Sequence, residues 1–256
     1  MIITALTENT SQSGLPVEHG LSLYIQTDTH TILFDTGQTD LFARNAAALG
    51  LDLQKVDIAV LSHGHYDHGG GLAAFLARND HAPVYLHRRA FEAHYNGEKF
   101  IGLSPALRQS ERLVFTGGVT AIADGLTLDD CNDRQPLIDL GSFGLDKIEN
   151  GVRKPDDFRH EHYLLIEEHG KRILISGCSH KGVINIVHWF RPDVLVGGFH
   201  FHKLPLGETL TGYARQLDAY GTAYYTCHCT GVPQYAYMKQ TMRRLHYLSA
   251  GDTIKL

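Results

Sequence analysis

Residues 60–71 read Val-Leu-Ser-His-Gly-His-Tyr-Asp-His-Gly-Gly-Gly. They overlap the end of an apolar run at residues 56–61, which predicts a buried strand, and they precede residues 72–78, whose apolar side chains have helical spacing. A loop between a strand and a helix therefore presents four side chains that bind metals: His63, His65, Asp67 and His68. Three imidazoles and a carboxylate suit Zn²⁺ or another first-row metal ion. The chain has 17 histidines, but four ligand-type residues within six exceed chance clustering.

The bulk properties indicate an ordinary globular protein and speak against a nucleic acid or a membrane as its partner, so we expect a small-molecule substrate. A chain of 256 residues can bury a sizeable core without disulfides. The net charge of −5 gives no electrostatic footprint for nucleic acid or an anionic membrane. We find no stretch long and apolar enough to span a bilayer and no signal-peptide pattern, so we expect a cytoplasmic location. These properties make no prediction of the oligomeric state.

The four cysteines show no Cys-x-x-Cys pair and no regular spacing, which fits a reducing compartment. Cys178, Cys227 and Cys229 lie beside histidines in the sequence. This neighbourhood favours metal chemistry over disulfide formation, and the alternative for each residue is a buried structural thiol.

The chain contains an internal repeat. Residues 21–37 and 162–178 align over seventeen positions without a gap, each as an apolar strand, a polar turn and a second apolar strand. Residues 40–49 and 183–190 follow as predicted helices. Each helix is followed by a buried strand that begins with an aspartate, and we expect these strands to end at His63 and His200.

Two copies of strand–strand–helix–strand predict an α/β fold in which two mixed sheets face each other with helices outside. We therefore expect one domain over residues 1–256, a four-layer αββα sandwich built from two halves. Ligands would then collect along one edge, where the strands of both halves end. The residues expected at this rim are His63, Cys178, His180, His200 and His228.

Residues 81–160 are less regular in pattern. We expect an insertion between the halves that covers the metal site as a lid or substrate-binding element. Its basic residues would receive a phosphate or carboxylate of the substrate, and the alternative for any single one is a solvated surface position.

The motif His63-x-His65-x-Asp67-His68 after an apolar strand, within a doubled chain, resembles the metallo-β-lactamase superfamily over nearly the whole sequence. Residues 33–37 look like its early turn that contains an aspartate, and residues 227–231 look like its final histidine motif. Finer motifs are similar to a branch of predicted metal-dependent hydrolases. This branch includes the dihydropterin–ribofuranosylaminobenzene phosphate synthase of methanopterin biosynthesis.

The resemblance implies metal ligands from both halves of the chain. Its hypothesis for one ion is His63, His65 and His180, and for the other Asp67, His68 and His228. Cys178 replaces the bridging aspartate of many members, as a thiolate ligand or only as a neighbour. The third histidine of the first site normally precedes the strand that leads to Cys178. His160 and His162 are near that place, but His180 fits the branch better. We expect one or two Zn²⁺ ions per chain, with Mn²⁺ and Fe²⁺ as alternatives.

Other polar residues have predicted supporting roles. Asp67 would orient water if only one ion binds. His200 is a candidate for general acid or for binding a substrate oxyanion, and the alternative is a packed imidazole. Asp35 is expected to hold a metal-ligating histidine, because such ligands donate their other N–H to a carboxylate or carbonyl. His19 is expected to support the site or to be structural.

These residues predict a metal-dependent hydrolase that uses a metal-bound hydroxide on an ester, lactone, thioester or phosphodiester. One alternative is a synthase or transferase acting on a phosphorylated, pterin-type substrate. Another is a non-catalytic binding module stabilised by metal. Di-iron redox chemistry is disfavoured, because His65 stands where the flavoprotein branch of the superfamily typically carries glutamate.

Overall fold

The computed structural model describes residues 1–256, and the chain divides into two compact units. The first unit consists of Met1–Gly117, Ser142–His162 and Ser249–Leu256, and the second of Gly118–Gly141 and Tyr163–Leu248. The N-terminal and C-terminal segments of the chain thus belong to the same unit.

Eighteen strands and six α-helices make up the two units. The strands are β1 (Ile2–Thr7), β2 (Ser22–Gln26), β3 (Thr31–Phe34), β4 (Ile58–Leu61), β5 (Val84–His87), β6 (Ala93–Asn96), β7 (Lys99–Phe100), β8 (Leu113–Thr116), β9 (Val119–Ala123), β10 (Leu126–Asp129), β11 (Leu145–Glu149), β12 (Val152–Pro155), β13 (Tyr163–Glu168), β14 (Lys171–Ile175), β15 (Val194–Gly197), β16 (Ala223–Thr226), β17 (Leu245–Tyr247) and β18 (Thr253–Lys255). The helices are α1 (Leu41–Ala48), α2 (Tyr66–Gly69), α3 (Leu72–Arg78), α4 (Val183–Phe190), α5 (Glu208–Asp218) and α6 (Val232–Lys239).

The first unit contains a seven-stranded mixed sheet in the order β18-β1-β2-β3-β4-β5-β8. Neighbours from β18 to β3 pair antiparallel, and those from β3 to β8 pair parallel. A four-stranded sheet, β12-β11-β6-β7, lies in the same unit and is antiparallel throughout. An apolar core that includes Phe42 and Phe75 packs against the larger sheet's strands.

The second unit contains a seven-stranded mixed sheet in the order β17-β16-β15-β14-β13-β10-β9. The strands from β14 to β17 are parallel, and those from β14 to β9 alternate in direction. Its own apolar core includes Phe199, Phe201 and Tyr224. No helix of the protein combines the length and the apolar character needed to cross a membrane.

The internal repeat is present in the strand pairing. Leu23 pairs with Phe34 in the first unit, and Leu164 pairs with Ile175 in the second. These four residues occupy equivalent positions in the two aligned segments, so the two hairpins share one register. A helix and a parallel strand follow each hairpin, as predicted.

Two features differ from the expectations. The predicted strands end earlier, at Leu61 and Gly197 rather than at His63 and His200, because the backbone leaves the sheet before the histidines. The segment 81–160 contains the eight strands from β5 to β12, where an irregular insertion was expected. These strands have two to five residues each, which is too short for a periodic pattern to stand out.

Candidate metal centre

The loop after β4 gathers four buried donors in the first unit. His63 and His68 are fully buried, His65 is 4% exposed and Asp67 is 8% exposed. The ring of His63 lies 4.6 Å from that of His65 and 4.2 Å from that of His68, measured between centroids. Imidazoles so close and so deeply buried, beside a carboxylate, have the chemistry of a transition-metal site.

Glycine at two positions lets this loop fold tightly. A Cβ atom on Gly64 would collide with the carbonyl oxygen of Ala90, and one on Gly71 would collide with that of Thr36. The amide of Tyr66 donates to the carbonyl of Ile101 at 2.9 Å and fixes the start of α2. The backbone around the ligands is thus held from several sides.

Asp35 and Ser62 determine which nitrogens His63 and His68 present. The Asp35 carboxylate accepts from the Ser62 amide, the Ser62 hydroxyl and Nδ1 of His68, each at 2.7 Å. Because the hydroxyl proton goes to Asp35, the Ser62 oxygen accepts from Nδ1 of His63 at 2.8 Å. Both histidines therefore carry a proton on Nδ1, so Nε2 is the nitrogen that each would present to a metal ion.

Burial and charge set the protonation of the Asp35–His68 pair, in which both side chains are fully buried. Burial raises the pKa of Asp35, and the contacts with His68 and Ser62 offset only part of this effect. For His68, burial lowers the pKa, but the charges of Asp35 and Asp67 raise it more, so the net shift is upward.

His19 lies next to Asp67, at 3.2 Å between Nε2 and a carboxylate oxygen. The other ring nitrogen of His19 lies 3.3 Å from the Asn9 amide nitrogen. An amide N–H that donates to Nδ1 leaves the His19 proton on Nε2, where it can be donated to Asp67. His19 is thus in a position to orient that carboxylate.

The second unit gathers the later motif residues where three parallel strands end. Cys178 and His180 follow β14, His200 follows β15 and His228 follows β16. The backbone turns sharply there, with left-handed φ values of 56° at His200 and 50° at His228. Parallel strands that end at one edge bring their following loops together.

Two groups of potential ligands result in this unit. One consists of Cys178, His180 and His200, and the other of Cys178, His228 and Cys229, and within each group the ligand atoms lie within 4.8 Å of one another. The rings of His180 and His200 are 4.5 Å apart. Cys229 also donates from Sγ to the carbonyl of Cys178 at 3.5 Å.

Sequence reasoning missed part of the clustering. In the first unit, His65 is grouped with His94, Asp156 and His160, all buried and with ligand atoms within 4.8 Å of one another. His94 and Asp156 stand alone in the sequence without a motif, so no sequence signal marked them. The predicted sharing of ions between the His63–His68 loop and the residues His180 and His228 stays a prediction.

The comparisons with known proteins agree with this fold. The family model of the metallo-β-lactamase superfamily matches residues 15–220. This chain belongs to that superfamily. A crystal structure of a metal-dependent hydrolase of the β-lactamase superfamily has 28% sequence identity and a TM-score of 0.83, covering 100% of this chain and 99% of that one. The predicted α/β metallo-β-lactamase-like fold is confirmed.

Two curated proteins of Methanocaldococcus jannaschii are similar over most of their length. An uncharacterized protein is 29% identical over 245 residues, covering 90% of this chain and 91% of its own. A 7,8-dihydropterin-6-methyl-4-(β-D-ribofuranosyl)-aminobenzene-5′-phosphate synthase is 27% identical over 265 residues, covering 93% and 90%. The predicted resemblance to the branch that includes this synthase is confirmed.

Proposed function

We propose that the protein is a metal-dependent hydrolase of a small ester, lactone, thioester or phosphodiester. The observation that carries the proposal is the hydrogen-bond arrangement around Ser62 and Asp35. With a proton on Nδ1 of each ring, Nε2 is the nitrogen that His63 and His68 would present to a metal ion in this buried loop. Ring nitrogens held in this way suit a metal ion.

The residues proposed to hold one or two Zn²⁺ ions come from both units. They are His63, His65, Asp67 and His68 in the first unit and Cys178, His180 and His228 in the second. When bound, such an ion supplies a water molecule of lowered pKa and positive charge for the developing negative charge. Mn²⁺ and Fe²⁺ are the alternatives, because imidazole and carboxylate ligands accept them as well.

The chain's own side chains would orient water and move protons. Asp67 would accept a hydrogen bond from the attacking water, while His19 holds the carboxylate from its other side at 3.2 Å. His200 would donate a proton to the leaving group. Its ring lies 4.5 Å from that of His180, and His200 is the more exposed of the two, so it is the better placed to meet substrate.

A synthase or transferase acting on a phosphorylated, pterin-type substrate is the second candidate. It is favoured by the similarity to the dihydropterin synthase at 27% identity over most of both chains. In that reaction two organic fragments are joined, whereas hydrolysis incorporates an oxygen atom from water.

We also infer a cytoplasmic location, which the four free cysteines support.

Product analysis in ¹⁸O-labelled water tests the proposal. The metal-loaded protein is screened against phosphate esters, lactones, thioesters and pterin precursors, with mass spectrometry of the products. One ¹⁸O atom per turnover supports hydrolysis, and a joined product without ¹⁸O supports the synthase. The variant His65→Ala should lose turnover, whereas His81→Ala, at a largely exposed side chain, should keep it. Full activity in His65→Ala with only a lower melting temperature would establish the metal as structural and overturn both enzyme proposals.

A further inference from the structure

The first unit contains a histidine that the proposed ligand set does not use. His94 lies on β6, in the four-stranded sheet, and is fully buried. We infer that His94 is a ligand of the metal ion that His65 binds, and that Asp156 holds it in place. This inference rests on the proposed function insofar as that function requires a metal ion at His65.

The hydrogen bonds of His94 leave one nitrogen without a partner. Nδ1 of His94 lies 2.7 Å from Oδ2 of Asp156. Since a carboxylate only accepts, the His94 proton is on Nδ1 and the lone pair is on Nε2. Nε2 is buried and has no hydrogen-bond partner in the protein. An unmet acceptor in the interior is costly unless something binds it, and a metal ion would.

Asp156 is built to orient its neighbours rather than to bind an ion itself. Its Oδ1 accepts from the amide of Phe158 at 2.8 Å, and its Oδ2 faces His94 at 2.7 Å and Nε2 of His160 at 3.4 Å. Both oxygens are thus engaged within the protein. A carboxylate, a histidine and an open Nε2 form a recurrent metal-binding arrangement.

The distance between the rings fits a shared ion. The centroids of His65 and His94 are 5.4 Å apart, with the ring planes at 79°. With metal–nitrogen bonds of about 2.0–2.1 Å, two imidazoles at a tetrahedral angle have centroids about 5 Å apart. The ligand atoms of the group of His65, His94, Asp156 and His160 also lie within 4.8 Å of one another.

The two other histidines of this region each use at least one ring nitrogen in a hydrogen bond within the protein. Nδ1 of His160 accepts from the amide of Gly64 at 3.0 Å, so its proton is on Nε2, the nitrogen that faces Asp156. His162 contacts the carbonyl of Leu61 at 2.9 Å and the hydroxyl of Thr116 at 3.3 Å. Of these three histidines, His94 therefore offers the lone pair.

If His94 binds the ion, the four-stranded sheet contributes a ligand to the metal centre. The backbone of His65 forms an isolated bridge with Gly102, shortly after β7. The amide of Ile101 donates to the carbonyl of His94 at 2.9 Å. The loop that carries His65 and the strand that carries His94 are therefore held in fixed register.

Cadmium NMR of the full-length protein tests this ligand directly. The chain is labelled with ¹⁵N-histidine and loaded with ¹¹³Cd²⁺, and couplings between ¹¹³Cd and ring nitrogens identify each ligand. We expect a coupling to Nε2 of His94 in addition to one to His65. Cadmium bound with a coupling to His65 but none to His94 would overturn the inference and leave the proposed function intact. Absence of bound cadmium would overturn both.

Affinity measurements add a second readout. His94→Gln should weaken Zn²⁺ binding by about tenfold or more, because losing even a residue that only orients a metal ligand costs about 10- to 100-fold in affinity. His162→Gln is the matched control, because it changes a buried histidine of the same unit and should leave the affinity unchanged. Equal losses in both variants would contradict the inference. Coupling at His94 together with no turnover on any substrate would overturn only the proposed function.

Discussion

At the scale of single residues, the positions of the protons on His63 and His68 determine which ring nitrogen would face a metal ion. Ser62 has one hydroxyl proton, which it donates in a hydrogen bond from Oγ to Oδ2 of Asp35 at 2.7 Å. Everything that follows about the two Nε2 atoms depends on this one donor and one carboxylate. Asp35 is thus expected to matter for metal affinity although it need not touch the ion.

Replacing Asp35 with asparagine should test this dependence. In Asp35→Asn the side-chain amide no longer presents two accepting oxygens to Ser62 and His68, so His68 loses its fixed proton position. We expect Zn²⁺ affinity, measured by competition with a chelating dye, to fall about 10- to 100-fold. Asp57→Asn is the matched control, because the Asp57 carboxylate accepts from the Thr31 amide at 2.8 Å at an exposed position. Unchanged affinity in Asp35→Asn would contradict the role of Asp35.

At the scale of elements, close backbone contacts hold the ligand loop in shape. Gly64 lies against Ala90, and Tyr66 is anchored on Ile101. Strand β4 could be predicted from the apolar run that precedes the loop, because a strand buried on both faces is continuously hydrophobic. The contacts from Ala90 and Ile101 could not be predicted, since they come from segments that carry no periodic pattern.

A methyl group at Gly64 should disturb the loop. Gly64→Ala places a Cβ against the Ala90 carbonyl, and we expect a loss of about 1–3 kcal/mol in the free energy of unfolding, as for other overpacked sites. Gly212→Ala is the matched control, because Gly212 lies in α5 with nothing within 4 Å of the added Cβ. Alanine there should stabilise the helix by up to about 1 kcal/mol. Urea unfolding of both variants provides the measurement, and a Gly64→Ala variant as stable as the wild type would refute the steric account.

The four-stranded sheet should show a pH-dependent contribution from Glu149. Its contacts with Lys154 and Arg89, together with the charge of Lys147, lower its pKa to about 2. Because this pKa lies below the value of about 4.3 for an unfolded chain, the contribution is present above pH 4.3 and is lost as the pH falls toward 2. The melting temperature of Glu149→Gln should therefore be lower than that of the wild type at pH 7, and the difference should shrink below pH 5.

A variant at another acidic residue controls for general effects of charge removal. In Glu98→Gln the altered side chain is 97% exposed, so little change in melting temperature is expected at pH 7. If the difference between the wild type and Glu149→Gln stays constant from pH 7 to pH 3, the assigned ion pairs do not produce it.

At the scale of the whole molecule, the internal repeat explains why much of the fold could be predicted. The two hairpins share one register, with Leu23–Phe34 and Leu164–Ile175 as equivalent pairs. Such strands can be predicted from the sequence, because a buried strand requires apolar residues at successive positions. The structure of segment 81–160 was harder to predict, because its strands are short and several consist mostly of exposed residues.

The residues of the candidate site likewise fall into those that the sequence could predict and those that it could not. The residues His63 to His68 could be predicted because their spacing is local. His94 and Asp156 are 62 positions apart and meet through their side chains, after β6 has paired with β11. That pairing is a tertiary event, and no short-range pattern records it.

The metal content of the natively purified protein tests the central claim most directly. Elemental analysis of the wild type should find one or two ions of a transition metal per chain, and His63→Ala combined with His68→Ala should reduce this number at equal purity and fold. Circular dichroism establishes that the variant is folded. A wild-type content well below one ion per chain, with no gain on adding Zn²⁺, Mn²⁺ or Fe²⁺, would contradict the account.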